Sequence, residues 1–105
     1  MEHENVLLGT DLKIKIDLFC EGFDMLANDF VIKVKCGSYV ETYEKDTLVI
    51  DEDNNFYLCL PTDNLKGLVT LVATLYVPDE DFEEGVVPGM RREVVKQDLF
   101  YVQRV

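Results

Sequence analysis

The chain begins with a strict alternation of apolar and charged residues. Residues 12–18 read LKIKIDL, so every even-numbered position is apolar and every odd-numbered position is charged. Successive side chains of a β-strand point to opposite faces, so this period of two predicts a strand with one buried and one solvated face. We expect that strand to extend over residues 12–20. The pattern returns at residues 30–36, which read FVIKVKC and predict a second strand.

Shorter β-rich runs follow, separated by turn-forming residues. A weaker strand is predicted over residues 39–43. Residues 48–50 and 56–60 flank five acidic or asparagine residues, an arrangement that predicts a β-hairpin. Residues 23–29 are too short and too mixed in character for a helix, so we interpret them as a connection.

The longest predicted strand covers residues 68–77. Both of its faces carry apolar side chains, which is typical of a central strand covered by its neighbours. A last strand is predicted over residues 93–102, where Asp98 interrupts the alternation and predicts a β-bulge. Six or seven short strands without a long helix indicate an all-β protein, a β-sandwich, with a small barrel as the alternative.

A length of 105 residues is enough for one hydrophobic core. We therefore predict a single domain over residues 1–105, with a flexible or arm-like N-terminus over residues 1–8 and a long acidic loop over residues 78–90. No run of about 18 apolar residues is present, so no membrane-spanning helix is predicted. The acidic first residues do not fit a secretory signal peptide.

The formal net charge of −11 narrows the classes of partner. Most of the surface would repel a nucleic-acid backbone, and it would repel an anionic membrane for the same reason. We therefore expect neither direct nucleic-acid binding nor membrane binding. The spacings of Cys20, Cys36 and Cys59 fit no zinc site and no disulfide framework, which indicates free thiols and a reducing compartment.

Residues that could carry catalysis are scarce. The only histidine is His3 and the only serine is Ser38, so a Ser-His-Asp triad has no suitable components. The six glycines form no phosphate-binding motif. We therefore predict a protein that is not an enzyme and that carries no cofactor.

Two acidic segments are candidate metal sites. Residues 51–55 and 79–84 are rich in carboxylates, and oxygen ligands suit calcium. The first segment departs from a calcium loop because Phe56 and Thr62 occupy the positions where a glycine and a glutamate are needed. The alternative interpretation is a solvated loop that keeps neighbouring sheets from pairing edge to edge. The weak calcium candidates are Asp51, Asp53, Asp79 and Asp81.

Four residues are candidates for contact with a partner protein. Phe19 and Phe82 are aromatic residues in polar surroundings. Such residues are enriched at interfaces, although each could instead pack beneath a neighbouring loop. Arg91 and Arg92 form a cationic pair that follows the acidic loop. They would either pair within the chain or dock onto an acidic neighbour.

Several segments together resemble a known group of proteins. They are residues 6–12 (VLLGTDL), 22–25 (GFDM), 28–34 (NDFVIKV), 49–57 (VIDEDNNFY), 77–85 (VPDEDFEEG) and 92–94 (REV). This combination resembles small immunoglobulin-like β-sandwich virion proteins encoded by phages and prophages of Bacteroidetes, including the crAss-like group.

The resemblance implies an immunoglobulin-like β-sandwich of about six to seven antiparallel strands. It also implies a non-enzymatic structural protein of the virion, which is capsid-decorating, neck or tail-associated. Such a protein would assemble in the cytoplasm of the bacterial host and would contact other virion proteins, including copies of itself. Residues 78–90 would then serve as a contact arm.

The alternative function is a stand-alone β-sandwich module that binds carbohydrate or calcium. Sugar-binding surfaces rely on exposed aromatic faces, and this chain has no tryptophan. A sugar platform would therefore have to be built from Tyr39, Tyr43, Tyr57 and Tyr76.

Overall fold

The computed structural model describes residues 4–104, which form eight β-strands. They are β1 (Glu4–Leu7), β2 (Asp11–Ile16), β3 (Phe30–Cys36), β4 (Tyr39–Glu44), β5 (Val49–Ile50), β6 (Phe56–Pro61), β7 (Gly67–Pro78) and β8 (Met90–Gln103). Two short 3₁₀ turns, Lys45–Thr47 and Glu80–Phe82, lie in the connections. Among these residues, no helix is long and apolar enough to cross a membrane.

The strands form two sheets that share one core. The larger sheet has the order β1-β8-β7-β3-β4, and the smaller has the order β2-β6-β5. Neighbouring strands are antiparallel, except that β1 runs parallel to β8. This is the strand order of the immunoglobulin sandwich, in which strands G, F, C and C′ face strands B, E and D. The predicted all-β sandwich is confirmed, with eight strands instead of six or seven.

The additional strand, β1, lies in the segment that we expected to be flexible or arm-like (residues 1–8). Glu4–Leu7 pairs with residues 100–103 of β8, and the N–H of Leu8 donates to the carbonyl oxygen of Gln103 at 2.8 Å. Val6 and Leu8 are half-buried and pack against the core. Their apolar side chains explain why this segment joins the sheet edge. Residues 1–3 lie outside the described part of the chain.

The inner faces of the two sheets supply the core. Alternate positions are buried along β3 (30, 32, 34 and 36), β6 (56, 58 and 60) and β7 (69, 71, 73, 75 and 77). The strand predicted at residues 30–36 matches β3 residue for residue. The strand predicted at residues 68–77 is one residue shorter than β7 at each end, and β7 is the middle strand of its sheet, as predicted.

Phe30 joins the two sheets. Its ring centroid lies 5.7 Å from that of Phe56 in the smaller sheet, at an interplanar angle of 76°. It also lies 6.1 Å from the ring of Phe23, in the connection between β2 and β3. Edge-to-face pairs of this kind contribute about 0.5–1.5 kcal/mol beyond the burial of their area. One side chain therefore ties together both sheets and a connecting segment.

The first predicted strand ends earlier than expected, at Ile16 instead of residue 20. Ile16 pairs with Phe56, the first residue of β6, so residues beyond Ile16 have no partner in the ladder. The chain turns there: the N–H of Phe23 donates to the carbonyl oxygen of Cys20 at 3.1 Å. Phe19 consequently lies in a connection and not on the strand.

The bulge predicted at Asp98 is confirmed. Val69 of β7 pairs with Phe100, whereas Thr70 pairs with Asp98, so Leu99 is left without a partner. The hydroxyl of Thr70 donates to Oδ1 of Asp98 at 2.9 Å. The bulge is thus fixed by a hydrogen bond between the two strands.

The three cysteines are free thiols, as predicted. Cys36 is buried, Cys20 is half-buried and Cys59 is exposed. Sγ of Cys36 donates to the carbonyl oxygen of Lys66 at 3.1 Å and accepts from its N–H at 3.2 Å. Cys36 therefore fixes the start of β7 against the end of β3.

We expect Phe30→Ala to be strongly destabilising. The side chain is 0% exposed, and its removal should lower the free energy of unfolding by about 3–5 kcal/mol. Phe19→Ala is the matched control, because it removes the same side chain from a position that is 87% exposed; its effect should stay within about 0.5 kcal/mol. Equilibrium urea unfolding measures both. Equal losses in the two variants would contradict the role of Phe30 between the sheets.

Candidate functional site

Three connecting segments meet at one end of the sandwich. Residues 17–29 join β2 to β3, residues 45–55 run from β4 through β5 to β6, and residues 79–89 join β7 to β8. Strand register places them together, since Ile16 lies opposite Phe56, Val31 lies opposite Glu44, and the N–H of Tyr76 donates to the carbonyl oxygen of Asp29 at 3.1 Å. We call these three segments the acidic end.

The acidic end carries the excess charge of the protein. It holds 13 of the 21 acidic residues but one of the ten basic residues, Lys45. The Nζ of Lys45 donates to the carbonyl oxygens of Leu26 and Asn28, both at 2.9 Å. Lys45 thus ties two of the segments to each other. The remainder of the chain is close to neutral.

The carboxylate of Asp51 organises the β5–β6 hairpin. Its Oδ1 accepts from the N–H groups of Asp53 and Asn55, both at 2.9 Å. Its Oδ2 accepts from Nδ2 of Asn55 at 3.2 Å and from the hydroxyl of Tyr57 at 3.1 Å. The N–H of Asn55 makes the largest contribution to a pKa of Asp51 below its ordinary value of 3.8. The hydrogen bond to Asp51 likewise raises the pKa of Tyr57 above 10.0.

A second carboxylate, Asp79, organises the β7–β8 connection. Its Oδ1 accepts from the N–H of Asp81 at 3.0 Å, and its Oδ2 faces Nε of Arg91 at 3.6 Å. Backbone hydrogen bonds close the segment: the N–H of Asp79 donates to the carbonyl oxygen of Gly89 at 2.9 Å, and the N–H of Gly89 donates to that of Phe82 at 3.1 Å. The long acidic loop predicted over residues 78–90 is therefore a closed turn.

These contacts give the calcium candidates another role. Both oxygens of Asp51 and both of Asp79 serve hydrogen bonds or an ion pair within the loops. Asp53 and Asp81 are exposed and supply N–H donors to those carboxylates. Across residues 4–104, no group of three or more His, Cys, Asp or Glu side chains is arranged to hold a metal ion. The loops are built as turns.

The two arginines have different environments. Arg91 pairs within the chain, because its Nη1 donates to Oε2 of Glu93 at 2.8 Å and its Nε lies near Asp79. Arg92 is exposed and has no ion pair among the side chains that the structure describes. Arg91 therefore supports the loop, and Arg92 is the arginine that a partner could reach.

Exposed apolar side chains gather at the acidic end. Phe19 is 87% exposed and Phe82 is 46% exposed, so neither packs beneath a neighbouring loop. Sequence reasoning identified these two residues but missed others in the same three segments. The signal that could have found Val86 and Val87 was a pair of valines inside a loop rich in glycine and proline. The further exposed residues are Leu26, Val49, Ile50, Val86 and Val87.

A second surface, which sequence reasoning missed, is the outer face of the larger sheet. Lys33, Lys35 and Lys96 are exposed there, and none of them is in an ion pair among the described side chains. We call this the lysine face. Its centre is formed by two rows of side chains that run across strands β4, β3, β7 and β8. The first row is Thr42, Lys33, Val72 and Lys96, and the second is Val40, Lys35, Thr70 and Asp98.

The tyrosines proposed for a sugar platform do not share one surface. Tyr39 and Tyr43 are half-buried and pack against the core. Tyr57 belongs to the smaller sheet, where its hydroxyl donates to Asp51. Tyr76 lies in β7 of the larger sheet. The four rings therefore offer no joint platform.

No protein-family model, curated protein sequence or solved structure matches this chain.

We expect Asp51→Asn to reduce stability at neutral pH, because an amide cannot accept all four hydrogen bonds. The folded-state pKa of Asp51 is lowered, so its ionised form stabilises the fold above the ordinary pKa of 3.8 and this contribution is lost as pH falls further. The variant should melt several degrees lower at pH 7, and the difference should shrink in acid. Asp53→Asn, in the same loop, is the control.

A phenol titration tests the same network independently. Without the Asp51 carboxylate, the pKa of Tyr57 should fall back towards 10.0, so one tyrosinate absorbance transition should move to lower pH in Asp51→Asn. An unchanged titration would show that the hydrogen bond between Tyr57 and Asp51 is not formed in solution.

Proposed function

We propose that this chain is a non-enzymatic structural protein of a phage particle, capsid-decorating, neck or tail-associated, and that it acts through contacts with other virion proteins. The acidic end is its contact surface. The observation that carries this proposal is the gathering of seven exposed large apolar side chains on the three connecting segments. The resemblance to Bacteroidetes phage proteins supplies the biological setting.

Exposed apolar residues at this end favour an interaction site. Isolated apolar residues are ordinary on a protein surface, whereas a concentration of them is typical of a surface that binds another protein. A phenylalanine such as Phe19 offers roughly 150–250 Å² of area to a partner, and burial of apolar area contributes about 25 cal/mol per Å². Two aromatic side chains would therefore supply much of the affinity.

The carboxylates around these apolar residues restrict the choice of partner. Glu80, Asp81, Glu83 and Glu84 are all exposed, and like charges repel two acidic ends that approach each other. The acidic end therefore fits a partner surface that is basic or neutral and partly apolar. The same repulsion limits aggregation of free subunits through this end.

The chemistry of the acidic end supports binding over catalysis. Two of its carboxylates, those of Asp51 and Asp79, hold turns together. A cleft of about 310 Å³ near Val87 is lined by Asp29, Glu44, Asp46 and Tyr76, with no cysteine, serine or histidine among its lining residues. The cleft therefore has no thiol, serine hydroxyl or imidazole among the groups that line it.

Mass spectrometry of purified particles tests the proposal directly. Particles released by the bacterial host that carries this gene should contain the chain at high copy number, and electron cryo-microscopy should locate its sandwich on the particle. Absence of the chain from intact, purified particles would overturn the structural role.

Variants of the acidic end test the contact surface. We expect Phe19→Ser combined with Phe82→Ser to reduce incorporation into particles at least tenfold, because the apolar contact is lost while the fold is kept. Leu7→Ser is the control, since Leu7 is 54% exposed in β1, outside the acidic end. Melting curves establish that all variants are folded. Equal incorporation of variant and control would rule out the acidic end as the contact.

A further inference from the structure

We infer that the acidic end of one copy of this chain binds the lysine face of a second copy, so that subunits associate head to tail. The inference rests on the proposed function, because it names a partner for the same acidic end. Two surfaces of opposite charge, each with exposed apolar side chains, carry the argument.

The lysine face is a basic region of an acidic protein. Lys33 and Lys96 flank Val72 in one row, and Lys35 lies in the next row beside Thr70. Asp98 also lies on this face, where it accepts a hydrogen bond from Thr70. Arg92 and Glu44, of opposite charge, lie towards the acidic end. The centre of the face is therefore positively charged.

This face is also partly apolar. Four exposed large apolar side chains lie on its strands β4, β7 and β8, and Leu7 lies on its edge strand β1; with the seven at the acidic end they account for all of those exposed in the described chain. A shallow groove of about 390 Å³ runs between Lys35 and Lys96, over Leu68, Thr70 and Val72. The four apolar residues are Val40, Leu68, Val94 and Tyr101.

The β7–β8 connection has the features that this groove would accept. Phe82 is exposed between Asp81 and Glu83, which are exposed as well. An exposed aromatic ring on a strongly acidic turn matches an apolar groove with a lysine on each side. The ring would enter over Val72, and the carboxylates would reach Lys35 and Lys96.

The charge pattern selects head-to-tail association over a symmetric dimer. Two lysine faces brought together would oppose like charges, and so would two acidic ends, whereas one of each is complementary. When the acidic end of one copy binds the lysine face of another, the resulting dimer still has one free acidic end and one free lysine face. The association is therefore heterologous and can add further subunits, as a ring or a filament.

The two surfaces can be inactivated separately. A face variant carries Lys33→Glu, Lys35→Glu and Lys96→Glu, and a loop variant carries Glu80→Lys, Asp81→Lys, Glu83→Lys and Glu84→Lys. All seven side chains are exposed, so both variants should fold. The control carries Lys13→Glu, Lys15→Glu and Lys66→Glu, which changes the net charge as the face variant does but at exposed positions outside the lysine face.

Analytical ultracentrifugation gives the readout. The natural chain and the control should form a concentration-dependent series of oligomers in about 10 mM salt, where the Debye length is about 30 Å, and should dissociate in about 1 M salt. Each variant alone should remain monomeric. An equimolar mixture of the two should associate again, because the acidic loop of the face variant can bind the natural lysine face of the loop variant, and the reversed charges of the other loop and face are complementary as well.

Several outcomes would overturn the inference. They are a natural chain that stays monomeric in low salt, a control that loses association as the face variant does, and a mixture without dimers. The proposed function is judged separately by incorporation into particles. A monomeric chain that still enters particles through Phe19 and Phe82 would keep the structural role and assign the acidic end to a different virion protein.

Discussion

The packing of the two inner sheet faces, centred on the contact between Phe30 and Phe56, is the constraint on which the rest of the structure depends. Side chains alternate along each strand, so a slip of one residue in register would turn every buried side chain into solvent. The core therefore fixes where each outward residue stands. Because Ile32 and Val34 must face inward, Lys33 and Lys35 must face outward. The surface proposed for association is in this sense a consequence of the core.

The same packing brings three acidic segments to one end and leaves basic residues on a sheet face. Carboxylates at that end have two roles. The carboxylates of Asp51 and Asp79 accept the hydrogen bonds that hold turns together. The other carboxylates of the β7–β8 connection are exposed, namely Glu80, Asp81, Glu83 and Glu84. Burying charges in a sandwich this small would be costly, so the connections are the places where so many can be carried. Charge asymmetry and a stable core are thus compatible in one domain.

Local sequence patterns predicted much of the fold. The alternation in residues 30–36 and the two-faced apolar run before Pro78 identified β3 and β7, and the break at Asp98 identified the bulge. The end of β2 could not be predicted, because it depends on where its partner β6 begins. The candidate site was predicted in part: Phe19 and Phe82 were found by their polar surroundings. The lysine face was missed, because Lys96 is brought beside Lys33 by strand pairing between residues far apart in the chain.

The parallel pairing of β1 with β8 bears on how the domain carries mechanical force. Strand β1 begins at Glu4, which pairs with Phe100, and strand β8 ends at Gln103, which pairs with Leu7. Tension on the two strands would therefore pull them in opposite directions along their length and load all their hydrogen bonds at once. Antiparallel strands pulled from one end would instead open one bond at a time. A domain held through both of these strands would therefore resist extension through shear of the whole ladder.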